Sequence, residues 1–294
     1  NVTDWSGATV KTLNLSKLDM VPYVAKEIAT LIKSNEANGY YKTEYIFSPP
    51  DSTEWPTSNS ASDEYLTFMN AVAQEMNEKY TFGREINLLL LAYNKTLMAP
   101  TTAGLSLYDG KEVDVSVMYA PIQANMYRAI TDSANASDYY GGHANSYYFS
   151  ELQKWQALSP NGKVYYWNYS TYYDTYFVPL DTISNMQTTY QALANSGVGT
   201  LFDLGQVGDL VSTDFSALKT FLKGQLAKNV NVVLWTDAST LKGGLVEAFM
   251  NAYYGAGGAK MLALLKVEMD WYKTLADEVV YYNNGTKQIV AIKS

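Results

Sequence analysis

The spacing of apolar residues along the chain changes between a helical period and short apolar runs. Residues 18–33 and 65–76 carry apolar side chains at every third or fourth position, and this spacing predicts two amphipathic helices. Residues 86–93 form a continuous apolar run, which is typical of a strand that is buried on both faces of a parallel sheet. The pattern therefore predicts a protein in which strands and helices alternate.

Five strands are predicted, each followed by a helix, with a possible sixth at residues 9–15; the five lie at residues 45–48, 86–93, 113–120, 163–168 and 199–204. Such alternation indicates a parallel sheet with right-handed crossovers, either open and doubly wound or closed into a (β/α)8 barrel. Neither glycine-rich phosphate-binding motif occurs in the right context, which disfavours a doubly wound nucleotide-binding protein. We therefore predict an α/β fold: the C-terminal five or six βα units of a TIM (β/α)8-type barrel, followed by a helical C-terminal segment.

This prediction divides the chain into a partial barrel, residues 1–215, and a helical region packed on it, residues 216–294. The helical pattern beyond residue 214 continues to about residue 278, with breaks near residue 229 and at residues 255–258. Five or six strands cannot close a barrel of eight. We expect the missing N-terminal part of the barrel to come from the same protein or from a partner chain. The sheet edge on that side should then be exposed or covered by a partner.

Composition and charge exclude several classes of function. The chain has no cysteine and one histidine, which excludes thiol catalysis, disulfides, Cys-ligated zinc and a His-rich metal site. Its net charge is −8 and no run of Lys or Arg stands out, so a nucleic acid partner is not expected. No apolar run reaches the roughly 18 residues of a transmembrane helix. Carboxylate chemistry or binding remains, and no metal or cofactor is predicted.

Tyrosine is unusually frequent: 26 of the 294 residues are Tyr, and many of them are adjacent to one another. A Tyr side chain has a flat apolar face and a polar tip, which suits stacking on sugar rings. The alternative is a general drift toward Tyr, Asn, Ser and Thr in an extracellular protein. We expect a secreted or cell-surface protein.

Candidate functional residues collect at the C-terminal ends of the predicted strands, where barrel enzymes place their chemistry. Asp51 and Asp203 are the leading catalytic pair, because glycoside hydrolysis usually needs two carboxyl groups that flank the scissile bond. Asp51 capping a turn and Asp203 forming a structural ion pair are the alternatives. The predicted substrate-binding residues lie on the same rim or in loops near it: Tyr93, Tyr119, His143, Trp167, Tyr169 and Asp174.

The aromatic candidates also have structural interpretations. Trp167 and Tyr169 are expected to share one face of a strand, so they either form the floor of a sugar subsite or belong to the core beneath the helices. His143 lies in the sequence Gly-Gly-His-Ala-Asn, where it is either a surface residue or a contact to a ligand.

An ordered set of segments resembles a known family. The segments are Ser48-Pro49-Pro50-Asp51, residues 63–73, Leu91-Ala92-Tyr93, Trp155 with residues 160–171, residues 197–205 and residues 247–255. Together they resemble the bacterial domain of unknown function 4838, a family described as related to α-glucuronidase and other TIM-barrel glycoside hydrolases. The resemblance covers about residues 15–270 and implies a barrel whose first strands precede this region.

Two positions depart from the pattern of that family. Its members commonly carry a C-x-C-x-x-C-like group after the Ser-Pro-Pro-Asp segment, whereas residues 52–60 contain no cysteine. They often show a Phe-Glu-Gln-Gly-like sequence at the last strand, where this chain has Phe202-Asp203-Leu204-Gly205. Aspartate is the shorter of the two acidic side chains, so its carboxyl group reaches less far than the glutamate of the family.

The leading hypothesis is a carbohydrate-active, glycoside hydrolase-like protein whose partner is a glycan or oligosaccharide. The alternative is a non-catalytic carbohydrate-binding or structural surface protein with a degenerate barrel site. Two buried carboxyl groups across one pocket favour the enzyme, one such group favours the binding protein, and the absence of a cleft favours the structural protein.

Overall fold

The computed structural model describes residues 2–3, 9–10, 13–49, 60–134, 143–160, 164–170, 180–204, 207–208, 211–212, 215–275, 279–283 and 288–292. The chain clusters into two compact units. The first unit contains residues 1–122, 150–167 and 197–202, and the second unit contains residues 123–149, 168–196 and 203–294. The polypeptide therefore passes from one unit to the other five times. The division into domains at residue 215 stays a prediction.

A short hairpin lies near the beginning of the chain, where β1 (Val2–Thr3) pairs antiparallel with β2 (Thr9–Val10). The prediction of a possible sixth parallel strand at residues 9–15 is therefore wrong for the residues of this segment that the structure describes. The side chain of Asn14 gives a physical reason, since its Oδ1 accepts from the N–H (3.1 Å) and the hydroxyl (2.7 Å) of Ser16. Such a contact bends the backbone into a turn.

A five-stranded parallel sheet is the frame of the fold, and it curls like half of a barrel. Its strands lie side by side in chain order: β3 (Glu44–Phe47), β4 (Ile86–Ala92), β5 (Val113–Tyr119), β6 (Val164–Asn168) and β7 (Thr200–Asp203). The predicted α/β class and the five predicted strands are confirmed, and each strand end lies within one residue of its predicted position.

Burial differs between the centre of this sheet and its edges. Every residue of β4 and β5 is buried, whereas exposed residues alternate with half-buried ones in the edge strands β3 and β7. The apolar strand segments predict that Phe47, Leu90, Val117, Val164 and Phe202 belong to the buried core. This prediction is confirmed for Leu90, Val117 and Val164. The same expectation is wrong for Phe202, which is 43% exposed, and Phe47 is only half-buried. An edge strand has a neighbour on one side only, so its side chains are less covered.

Two helices of the first unit pack against each other: α1 (Val21–Ala37) and α2 (Ala61–Lys79). Pro22 lies in the first turn of α1, where a missing N–H breaks no helical hydrogen bond. The chain leaves α1 through Gly39, whose φ of 79° favours glycine. The hydroxyl of Ser60 caps α2 by accepting from the N–H of Asp63 (3.4 Å).

The side chain of Asn77 joins α2 to the beginning of β5. Its Nδ2 donates to the carbonyl oxygen of Val113 (2.8 Å), and its Oδ1 accepts from the N–H groups of Glu112 (3.0 Å) and Val113 (3.1 Å). α2 also packs against β4 and β5. It contributes a row of buried side chains to the core of the first unit: Tyr65, Phe68, Met69, Val72 and Met76.

The second unit is mainly helical. α3 (Asn145–Ala157) begins in it and ends in the first unit. Four further helices pack in chain order and bury a shared apolar core: α4 (Ile183–Asn195), α5 (Ser216–Lys228), α6 (Leu245–Tyr254) and α7 (Gly258–Leu275). The predicted helical C-terminal segment is confirmed, although residues 229–244 lie outside helices.

Two antiparallel hairpins complete the second unit. β8 (Val207–Gly208) pairs with β9 (Val211–Ser212), and β10 (Val279–Asn283) pairs with β11 (Gln288–Ile292). The last helix is described as far as Leu275, and its predicted end near residue 278 lies outside the described residues.

Candidate functional site

Asp203 stands at the C-terminal edge of the sheet, as the last residue of β7, and Asn168 stands there as the last residue of β6. Asn168 Nδ2 donates to Asp203 Oδ1 (2.6 Å), and the hydroxyl of Tyr190 in α4 donates to Asp203 Oδ2. The N–H of Leu204 donates to the carbonyl oxygen of Asn168 (3.1 Å). Both oxygens of the Asp203 carboxylate therefore accept a hydrogen bond.

α5 places a lysine beside this carboxylate. Lys223 Nζ lies 3.7 Å from Asp203 Oδ1, and the lysine side chain is only 8% exposed. Its ammonium group also donates to the carbonyl oxygen of Leu204 (3.0 Å) and to the hydroxyl of Ser170. Ser170 in turn donates to the same carbonyl oxygen (2.8 Å). Asp203 therefore belongs to an ion pair, which is the structural alternative considered from the sequence.

Burial lowers the pKa of Lys223 below its ordinary value, because an ammonium group that is removed from water loses solvation. The carboxylate of Asp203 opposes this shift and the charge of Lys219 adds to it. Lys219 is itself buried and donates to the carbonyl oxygen of Leu180 (2.7 Å). Two buried lysines four residues apart thus lie on α5.

An open cavity adjoins this group of residues within the second unit, and its space of about 300 Å³ includes the open solvent at its mouth. Three partners of Asp203 line it, namely Asn168, Tyr190 and Lys223, whereas Asp203 itself is not among the described lining residues. The carboxylate therefore lies behind the cavity wall. The other lining residues are Met126, Tyr169, Ser170, Thr182, Asn185, Met186 and Thr189.

The cavity wall combines apolar surface with hydrogen-bonding groups. Two aromatic rings and two thioethers supply apolar surface, from Tyr169, Tyr190, Met126 and Met186. Amides, hydroxyls and the ammonium group of Lys223 supply polar surface. Small-molecule sites in proteins typically have this mixed character, with a few polar groups that fix the orientation of the ligand.

The hydroxyl of Thr182 is the least satisfied polar group of this wall. Thr182 is only 6% exposed, and its Oγ1 has no hydrogen-bond partner within the protein. Asp181 caps α4 instead, because its Oδ1 accepts from the N–H groups of Ile183 and Ser184 (3.0 Å each). Buried hydroxyls usually have a partner, so Thr182 offers a hydrogen bond to a molecule in the cavity.

Three of the predicted substrate-binding residues belong to the first unit. Tyr119 is fully buried, with its ring centroid 6.3 Å from that of Tyr166, so it has no exposed face to offer to a ligand. Tyr93 is half-buried and precedes a 3₁₀ turn. Trp167 is half-buried and lies against Phe202, with ring centroids 4.3 Å apart.

The remaining described candidates belong to the second unit. His143 is exposed and stacks on Tyr147, with ring centroids 3.8 Å apart. Tyr169 lines the cavity. It lies outside β6, which ends at Asn168, so the strand alternation used to predict a shared face with Trp167 does not extend to it.

Asp51 and Asp174 lie outside the described residues. The candidates that are described divide between the two units, three in each. That the predicted site residues share one rim stays a prediction.

Lys223, Tyr190 and Thr182 are not among the residues that the sequence predicted. One signal existed for Lys223: Lys219 and Lys223 are four residues apart and lie beside the buried apolar series Leu218, Leu222 and Leu226. Lysines at helical spacing next to an apolar face either extend their charged ends to water or form a buried cationic site. For Tyr190 and Thr182 the sequence offers no such signal.

The described part of the chain contains neither a cluster of metal-binding side chains nor a membrane-spanning helix. No group of three or more His, Cys, Asp or Glu residues there is placed to hold a metal ion. None of the helices there has the length and apolar character needed to cross a bilayer.

Residues 13–265 match the model of a family described as Domain of unknown function (DUF4838). Because the match covers most of the chain, the protein belongs to this family, in agreement with the resemblance found in the sequence. Neither a curated protein nor a solved structure matches the chain.

Proposed function

We propose that this DUF4838 protein is a carbohydrate-active protein that binds a glycan in the cavity of the second unit. The observation that carries the proposal is the wall of that cavity, where aromatic rings and thioethers lie beside amide and hydroxyl groups. Sugars have the same two kinds of surface: C–H groups that pack on aromatic rings, and hydroxyls that bond to polar side chains.

The proposal includes a TIM (β/α)8-type barrel of which the curled sheet is a part. Asn168 lines the cavity and is the last residue of β6, and barrel enzymes place their sites at the C-terminal ends of the strands. The remaining strands would come from the same protein or from a partner chain. The protein would act outside the cell, secreted or attached to the cell surface.

Glycoside hydrolysis is the second candidate function, and the strand-end position of Asp203 favours it. Hydrolysis needs one carboxyl group that protonates the leaving oxygen and a second that activates water or attacks the sugar. With donors on both of its oxygens, Asp203 suits the second role, and Asp51 stays the predicted other member of the pair. The position of Asp203 behind the wall instead favours a protein that binds without hydrolysis.

Binding is tested with a glycan array followed by calorimetry on the protein of 294 residues. We expect Tyr169→Ala to weaken glycan binding at least tenfold, because the substitution removes one of the two aromatic rings of the cavity wall. Tyr23→Ala is the matched control, since Tyr23 is 68% exposed and lies on α1 in the first unit. If the wild-type protein binds no glycan, the proposal is wrong.

Hydrolysis is tested by measuring sugar release from every glycan that binds. An enzyme that uses Asp203 should lose turnover in Asp203→Asn while it keeps its affinity for neutral glycans, and Asp109→Asn, at an exposed position, should keep both. Wild-type turnover in Asp203→Asn would remove Asp203 from the catalytic assignment. Binding without any release of sugar would identify the non-catalytic protein.

A further inference from the structure

We propose that Asn87 and Ser116 bind one internal water molecule within the five-stranded sheet of the first unit. The two residues lie on neighbouring strands, Asn87 near the start of β4 and Ser116 in the middle of β5. The inference is independent of the proposed glycan binding, because that cavity belongs to the second unit. It rests on the burial of both side chains, on the face of the sheet that they share and on their unmet hydrogen-bonding capacity.

Both residues lie on the face of the sheet that is turned away from α2. Phe47 marks the opposite face, because its ring lies 6.4 Å from a tyrosine ring of α2, and it is paired in register with Leu90. Side chains alternate between the two faces of a strand, so Asn87, three residues before Leu90, points away from α2. Ser116 is paired with Leu89 and therefore lies on the same face as Asn87.

Both side chains are buried, and each has a polar atom without a partner. Asn87 is 2% exposed and Ser116 is 0% exposed. The amide nitrogen of Asn87 donates to the hydroxyl of Tyr165 (3.1 Å), whereas its Oδ1 accepts no hydrogen bond from the described part of the protein. The Oγ of Ser116 has no partner there either. Buried polar groups nearly always have a partner, so two exceptions on neighbouring strands indicate a bound molecule.

The spacing of the two residues suits a bridging molecule. Asn87 is paired with Asp114, and Ser116 follows Asp114 by two residues on the same face. Neighbouring strands are about 4.8 Å apart and two residues span about 6.6 Å of a strand, so the Cα atoms of Asn87 and Ser116 lie roughly 8 Å apart. Their short side chains do not bond to each other across this diagonal, and a small molecule between them can bond to both.

Water suits these groups better than a metal ion does. A water molecule can donate to Asn87 Oδ1 and accept from the hydroxyl of Ser116, and internal waters bind in this way to polar groups that lack other partners. A calcium ion takes about six to eight oxygen ligands. No group of three or more His, Cys, Asp or Glu side chains in the described part of the chain is placed to hold such an ion.

The water completes a chain of hydrogen bonds across four strands. The hydroxyl of Tyr165 in β6 donates to Glu44 Oε1 in β3 (3.5 Å) and accepts from Asn87 in β4. The water continues this chain from Asn87 to Ser116 in β5. A polar network in which every member is satisfied makes a core rigid and specific, so this water contributes to the register of β3 to β6.

A high-resolution crystal structure of the wild-type protein tests the site directly. We expect one water oxygen at hydrogen-bond distance, about 2.5–3.0 Å, from both Asn87 Oδ1 and Ser116 Oγ. Density that shows no molecule between the two side chains overturns the inference. An ion with several oxygen contacts of about 2.3–2.6 Å overturns it as well.

Magnetic relaxation dispersion counts long-lived internal waters in solution. We expect Ser116→Val to hold one such water fewer than the wild type, because the methyl groups replace the hydroxyl and fill the adjoining space. Ser106→Val, at an exposed position in the same unit, is the control and should keep the wild-type number. Circular dichroism establishes that both variants are folded, and the wild-type number in folded Ser116→Val contradicts the inference.

A double-mutant cycle tests whether the water couples the two side chains. Because Asn87 and Ser116 do not bond to each other, a shared water predicts that Ser116→Ala lowers the melting temperature at least twice as much in the wild type as in Asn87→Ala. Leu89→Val is the control background, since Leu89 is apolar and lies beside Ser116 on the same face; there Ser116→Ala should have its wild-type effect. Equal effects of Ser116→Ala in the wild type and in Asn87→Ala overturn the inference.

Discussion

Lys223 is a buried cation whose removal should destabilise the second unit. In Lys223→Met, Asp203 loses its counter-charge, and the carbonyl oxygen of Leu204 and the hydroxyl of Ser170 each lose a donor. We expect the free energy of unfolding, measured in urea, to fall by roughly 2–4 kcal/mol. Lys228→Met, at an exposed position on the same helix, should change it by less than about 0.5 kcal/mol. Equal stability of the two variants would show that the ion pair has no net effect.

Asp63 makes the first unit sensitive to acid. Partial burial raises the pKa of Asp63, but hydrogen bonds from Ser60, Thr101 and Thr102 outweigh that effect and lower the pKa to about 2. In the unfolded chain the pKa of an Asp is about 3.9. The ionised carboxylate therefore stabilises the fold above about pH 4, and this contribution is lost as the pH falls toward 2.

Urea unfolding at a series of pH values measures this effect. We expect the wild-type protein to lose more stability between pH 5 and pH 2 than Asp63→Asn, which lacks the titrating group. Asp109→Asn, an exposed carboxylate in the same unit, should follow the wild-type curve. Parallel curves for the wild type and Asp63→Asn would contradict the prediction.

The two members of the ion pair differ in how far the sequence could predict them. Asp203 was identifiable because a polar residue at the end of an apolar strand is a local signal. Lys223 meets Asp203 only because α5 packs in a particular rotation within the second unit, and no local pattern fixes that rotation. The sequence left two interpretations of Asp203 open, a catalytic residue and an ion-pair partner. The choice between them depends on α5, which begins beyond the predicted barrel region.

At the scale of secondary-structure elements, the side chain of Asn77 provides a polar contact between α2 and the beginning of β5. Asn77→Ala removes the three hydrogen bonds that join Asn77 to Glu112 and Val113. We expect the free energy of unfolding to fall by about 2 kcal/mol, since backbone groups then lose their partners. Gln74→Ala is the control, because Gln74 is exposed on the same helix and bonds only to Glu78. A loss no greater than that of the control would contradict this role.

Elements with a strong hydrophobic period were predicted well, and the burial of the edge strands was not. The spacing within α2 and the apolar run of β4 identified both elements from the sequence, because each is covered in the way its pattern implies. Phe202 was also predicted to be buried but is exposed, since β7 is an edge of the sheet. An apolar run indicates a strand and does not show how many neighbours that strand has.

At the scale of the whole molecule, the edge of the sheet at β3 offers a surface for association. Ile46 in this strand is 51% exposed, and unpaired edge strands invite pairing with another strand. We expect concentration-dependent self-association, measured by size-exclusion chromatography with light scattering, and we expect Ile46→Lys to abolish it. Tyr23→Lys, at an exposed position on α1, should associate like the wild type. A wild-type protein that stays monomeric at every concentration would contradict the prediction.

The overall class was predictable from the sequence, whereas the two-unit organisation was not. Alternating strands and helices leave few arrangements other than a parallel sheet with crossovers, and the five strands follow that rule. The two units are defined by contacts between segments that are far apart in the chain, such as residues 123–149 and 203–294. Closure of the sheet into a complete barrel stays a proposal.

The repeated passage of the chain between the two units has a consequence for genetic recombination. Each unit consists of three separate segments, so no uninterrupted stretch of a gene encodes either unit alone. A recombination event at any one point within residues 1–294 would leave at least one unit divided between two parents. Neither unit can therefore be exchanged between genes as an intact module by a single crossover within this chain.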